Sequence, residues 1–113
     1  MDSGKQEKIE SQIAQLAALF IERESNKTAL ITVTRVEILD RGRNATIYIS
    51  VLPEDGEESA INFLKRKRND LRTVIKKGIN MQNIPFIDVE IDKGEKARQT
   101  IDALLYKDAH NTK

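Results

Sequence analysis

Apolar residues recur at Ile9, Ile13, Leu16 and Phe20, with Ala17 and Ile21 widening the stripe, so residues 4–24 predict an amphipathic helix. Ser3 followed by Gln6 fits a capping box at its start. Ser25-Asn26 fits its end, because Asn tolerates the left-handed conformation. The spacing then changes to two. Residues 29–39, ALITVTRVEIL, are rich in β-branched residues and predict a strand. Ile31 and Val33 share one face, whereas Val36 and Ile38 share the other. A bulge near Thr34-Arg35 would return Val36 to the core side. The turn residues Asp40 to Asn44 lead into a second strand at 45–52, with Ala45, Ile47, Ile49 and Val51 facing inward. The short link predicts an antiparallel hairpin.

Leu52-Pro53 ends that strand, and Asp55 with Glu58 is expected to cap the next helix. Residues 59–79 carry an apolar face of Ala60, Phe63, Leu64, Leu71, Val74 and Ile75, but Lys67 falls in its middle. An unpaired buried lysine is costly, so a break is expected across Lys67 to Asn69, swinging Lys67 and Arg68 outward. Asn69 is the candidate left-handed residue at that kink. After Asn83-Ile84-Pro85, residues 86–92 alternate strictly. Ile87, Val89 and Ile91 are expected inside, with Phe86, Asp88, Glu90 and Asp92 outside. Lys93-Gly94 reads as a turn, and 95–105 as one or two helical turns through Ala97, Ile101, Leu104 and Leu105. Residues 106–113 read as a polar, mobile tail. The expectation is a single α+β domain over 1–113, with an ordered core of about 5–105. In it, helices on one face of a three-stranded sheet bury every apolar stripe.

At 113 residues, with 39% hydrophobic and 33% charged residues, the composition is that of one charge-rich globular domain. No apolar run approaches a membrane span. The opening MDSGKQEKIE lacks a secretory pattern, so a cytoplasmic location and no membrane partner are expected. The absence of cysteine excludes disulfides and thiolate metal sites. Net charge is only +1, but it is unevenly spread. Between Ser59 and Gly78 seven basic residues face one acid, just after the cluster Glu54, Asp55, Glu57 and Glu58.

Those seven, Lys65, Arg66, Lys67, Arg68, Arg72, Lys76 and Lys77, are the candidate RNA-binding residues. On a continuous helix Lys65, Arg68, Arg72 and Lys76 fall within an arc of about 80°. Acids that would mix the signs at i±4 are nearly absent. The alternative is a merely solvated helix face. Arg35, Arg41 and Arg43, around the hairpin turn, either extend this surface as secondary RNA contacts or only solvate the turn. Tyr48 offers a ring for base stacking or a contact for a packing helix. Asp88, Glu90 and Asp92 share a strand face, but a flat row does not surround a cation. His110, the sole histidine, has no partner for acid/base work. No phosphate loop or nucleophile–histidine pair occurs, so neither enzyme, cofactor, metal nor small-molecule substrate is expected.

The order of elements, with ITVTRVEIL (31–39), ATIYISVL (45–52) and the run from Ala60 through IPFIDVEID to IDALL (101–105), resembles the ribosome-binding factor A family over about residues 5–105. The first two stretches match its Thr-Val-x-x-Val-Glu strand and its alternating second strand. The resemblance implies a type II KH-like fold of order α-β-β-α(kinked)-β, with no GxxG loop. Its kink normally carries a small residue, any residue, then glycine. Lys67-Arg68-Asn69 occupies that place here, and Asn69 stands in for the glycine. The family implies a non-catalytic assembly factor whose partners are the immature small ribosomal subunit, its rRNA near the decoding region, and assembly GTPases that help release. Other readings left open by the residues are a protein–protein module, another KH-like RNA-binding domain and a DNA-binding helix.

Overall fold

The computed structural model describes the backbone of residues 3–111 and side chains from 4 to 106. Helix α1 (Ser3–Glu24) buries Ile9, Ile13, Ala17, Phe20 and Ile21, the stripe its periodicity predicts. Gln6 does not reach back over the helix start; its side chain donates to Glu10 and to the Ile38 carbonyl. Ser3's side chain lies outside the described residues. Past the C-terminus, Lys27 and not Asn26 takes the positive φ, at 66°. Asn26 instead accepts from the Thr28 amide and hydroxyl, a local turn that competes with further helix.

Strand β1 (Leu30–Leu39) pairs antiparallel with β2 (Asn44–Leu52). The register slips between Val33 and Arg35, which is the expected bulge. The extra residue turns Val36 and Ile38 into the core. The connecting turn carries positive φ at Asp40, Arg41 and Gly42. From β2 the chain passes through a 3₁₀ turn, Glu54–Gly56, into α2 (Glu57–Arg66). Asp55 therefore sits in that turn and makes no cap; Gly56 holds the N-cap position without a side-chain bond. Glu57 and Glu58 still stand in the first helical turn, where the macrodipole favours carboxylates.

Helix α3 (Arg68–Gly78) follows after the single residue Lys67. The break thus precedes Asn69, which lies inside α3 and lends its carbonyl to the Thr73 hydroxyl at 3.0 Å. Lys67 adopts φ −92° and ψ 8°, against about −42° for ψ in a regular helix. Its amide still bonds to Phe63 (3.1 Å) and its carbonyl to the Leu71 amide (2.9 Å). The backbone bends without losing phase. Ala60, Leu64, Leu71 and Ile75 all remain buried, and Lys67 stays 41% exposed, its ammonium 4.0 Å from Asp70.

The α2–α3 pair is the crossover that brings β3 (Phe86–Ile91) parallel to β2, giving the mixed order β1-β2-β3. Ala45, Ile47, Ile49, Val51, Ile87 and Val89 share one core with α1, α2 and α3. Two expectations fail at the far end. The last helix, α4 (Lys93–Asn111), is much longer than a turn or two and runs past Tyr106. Its residues from Ala97 to Tyr106 are exposed, Ile101, Leu104 and Leu105 included, so this stripe is not part of the core.

Asp92 was expected outside and is only 6% exposed. One carboxylate oxygen accepts the Glu95 amide at 2.9 Å and so caps α4; the other lies 2.6 Å from the hydroxyl of Thr34, the bulge residue. Arg35 Nε stands 3.5 Å from the same oxygen. The Thr34 hydrogen bond, then the Glu95 amide and the Arg35 charge, outweigh burial and hold the Asp92 carboxyl below its ordinary range. A depressed carboxyl contributes stability above its unfolded value near 3.9, and loses it as pH falls through the folded one. Thermal midpoints of the native chain should therefore drop on acidification below about pH 4 more steeply than those of Asp92→Asn, which should already be lower at neutral pH. Parallel curves would show that the carboxylate charge is not what holds α4.

Candidate nucleic-acid interface

The break at Lys67 explains where the basic residues collect. It creates an additional helix C-terminus, and cations are favoured at each: Lys65 and Arg66 in the last turn of α2, Lys76 and Lys77 in the last turn of α3. The seven are therefore not one continuous arc. They divide by what their charges already do.

Arg68 is built into the fold. It reaches across the edge strand β3 to Asp88 at 3.1 Å, and its guanidinium carbon lies 4.9 Å from the centre of the Phe86 ring. Its Nε is buried without a hydrogen-bond partner. Arg72 bonds to the carbonyls of Ile84 (2.9 Å) and Pro85 (3.4 Å), pinning the segment that enters β3. Lys67 faces Asp70. Lys65, Arg66, Lys76 and Lys77 are exposed and, among the described residues, make no ion pair. Arg66 lies at a groove of about 520 Å³ between the end of α1, the start of β1 and α2, which Glu24 and Asp55 also line.

The hairpin arginines separate likewise. Arg35 is not at the turn's tip. It lies on the outer sheet face, stacked 3.7 Å over Tyr48 and paired with Glu37 at 3.2 Å. The ring proposed for base stacking is thus already covered by a cation. Arg41 and Arg43 are exposed at the tip. The Arg43 carbonyl accepts the Phe86 amide at 2.8 Å, so the tip abuts the start of β3, where Arg68 and Arg72 converge. Asp88 is engaged by Arg68 and by the Val89 amide, and Asp92 by α4; among the described residues no group of three acids or histidines is placed to hold a metal ion. His110's side chain falls outside the described residues. No described helix is long and apolar enough to cross a membrane.

A three-stranded mixed sheet, helices packed on one face and a helix broken by one residue where other such domains carry a GxxG loop define a KH-like α+β protein. Residues 5–105 match the family Ribosome-binding factor A, and the chain belongs to that family. It is 35% identical over 78 residues to the ribosome-binding factor A of Fervidobacterium nodosum, covering 68% of this chain and 62% of that relative, so less than two thirds of the relative's length is spanned. The crystal structure of ribosome-binding factor A from Thermus thermophilus superposes with a TM-score of 0.69 at 22% identity, over 76% of this chain and 93% of that one. A homology model of the Thermus thermophilus factor, fitted into the cryo-EM map of a 30S complex, gives 0.67 at 21% identity, over 78% and 96%. At these identities the two structures speak for the fold.

The division among the cations is measurable. Replacing Arg68 by Ala removes a partly buried pair and a ring contact and should lower stability by about 1 kcal/mol. Lys76→Ala with Lys77→Ala should leave it within about 0.5 kcal/mol. Chemical denaturation of the two variants tests this; equal losses would erase the distinction between structural and free cations.

Proposed function

We propose that the chain is a non-catalytic, cytoplasmic RNA-binding assembly factor. It docks on the immature small ribosomal subunit through phosphates of its rRNA and assists late 16S rRNA maturation, and assembly GTPases aid its release. The observation that carries this reading is the set Lys65, Arg66, Lys76 and Lys77, exposed at two helix ends and, among the described residues, in no ion pair. Arg41 and Arg43 at the hairpin tip extend it; Lys67, Arg68 and Arg72 shape it and add charge. Family membership and the relatives' names support the reading, as does the Thermus factor's 30S complex.

Four to six phosphate contacts give a log–log salt slope of roughly −3 to −5, and each removed contact reduces its magnitude by about 1. The variant Lys65→Ala, Lys76→Ala, Lys77→Ala should therefore bind 16S rRNA more weakly and with a slope flatter by about 3. Arg68 and Arg72 are poor probes, since their loss also disturbs β3. Unchanged affinity and slope would remove the helix ends from the interface. A second reading, a protein-docking module, is favoured by the exposed Ile101, Leu104 and Leu105 of α4. Retention on small subunits that survives nuclease treatment, and is lost in Leu104→Asp, would support it.

A further inference from the structure

We infer that Phe86 is a base-stacking residue: its ring, backed by Arg68, receives an unpaired nucleobase of the bound RNA. The inference rests on the RNA-binding reading and goes beyond phosphate contacts, because it requires a single-stranded segment at this site.

Phe86 opens β3 on the sheet face turned away from the core that α1, α2 and α3 cover, opposite Asn44 in register. It is 53% exposed, although the adjoining Pro85 and Ile87 are fully buried. An exposed aromatic at an outward strand position does nothing for the core. Its surroundings give it another use. Arg68 lies 4.9 Å from the ring centre and is held there by Asp88. A guanidinium held in this way by Asp88 pre-orders the ring. Arg43 adjoins through the Phe86 amide, and Arg72 through the Pro85 carbonyl. A ring with open surface, set among cations that attract a sugar-phosphate backbone, is the arrangement that binds unpaired nucleic acid. Of the other aromatics, Phe20 is 1% exposed, Phe63 packs against the core and Tyr48 is covered by Arg35; Tyr106 is exposed but lies on α4, not on β3 beside Arg68.

The chain has no tryptophan, so Phe86→Trp places a single indole at the site. The full chain is titrated with an unstructured RNA of about a dozen nucleotides and with a blunt RNA duplex, binding being followed independently through a label on the RNA. The single strand should quench the indole and the duplex should not. Phe86→Leu, which keeps apolar contact with Arg68 but offers no π face, should bind the single strand about 5- to 100-fold more weakly. Its salt slope should match the wild type, and its thermal midpoint should fall only by the small contribution of the ring's contact with Arg68. Leu binding as well as Phe, or an indole blind to RNA that the label reports as bound, overturns the stacking role and leaves phosphate binding standing. Wild-type chain that binds neither RNA overturns both.

Discussion

One dihedral angle at Lys67 decides how this molecule is assembled. With ψ near zero, the chain turns between α2 and α3 while the hydrogen bonds on either side of the residue persist. Both helices can then lay their apolar faces on a twisted sheet that one straight rod through residues 57–78 would follow poorly. Ala60 and Leu64 seat before the bend, Leu71 and Ile75 after it. Lys67, at the centre of the apolar arc, keeps its side chain 41% exposed and its ammonium 4.0 Å from Asp70. The same bend sets α3 so that Arg68 can cross β3 and Arg72 can hold the loop before it.

Charge follows from this geometry. Both α2 and α3 carry acids in the first turn and bases in the last, the order the macrodipole favours. Part of the basic density is therefore tied up in strand anchoring, part in the pair of Lys67 with Asp70, and the rest sits at helix ends without an ion pair among the described residues. A count along the sequence cannot separate the three. The free remainder lies at helix termini, where backbone carbonyls offset some of the positive field. A polyanion held there, as proposed, would rest on several modest contacts together, not on any one lysine.

Much of the fold was legible. Period-3.6 and period-2 patterns placed α1 and all three strands, the phase change in ALITVTRVEIL located the bulge, and Lys67 in an apolar arc announced a break. What misled was local chemistry overridden by longer-range contacts. Asn69 has the right propensity for a hinge, but bending at Lys67 needs no left-handed residue, since the bridge region is open to any side chain. Asp55 looked like a cap until a 3₁₀ turn took up the residues before α2. Asp92 continued an alternating pattern, yet its partner Thr34 is 58 residues away, and no periodicity reveals such a bond. The split of the cations was invisible for the same reason: Asp88 and the Ile84 carbonyl are distant in sequence from Arg68 and Arg72. The exposed stripe of α4 shows that amphipathic spacing marks a face able to be buried, without saying by what.

The attachment of α4 gives the bulge in β1 a second role. The root of α4, a nineteen-residue helix about 28 Å long, is tied to the body by one carboxylate that also grips Thr34, with Lys96 steadied by Glu54 and Glu57. A tilt of a few degrees at its root sweeps its tip through an ångström or more, so the aim of the far end is written in the hydroxyl of a threonine on another strand.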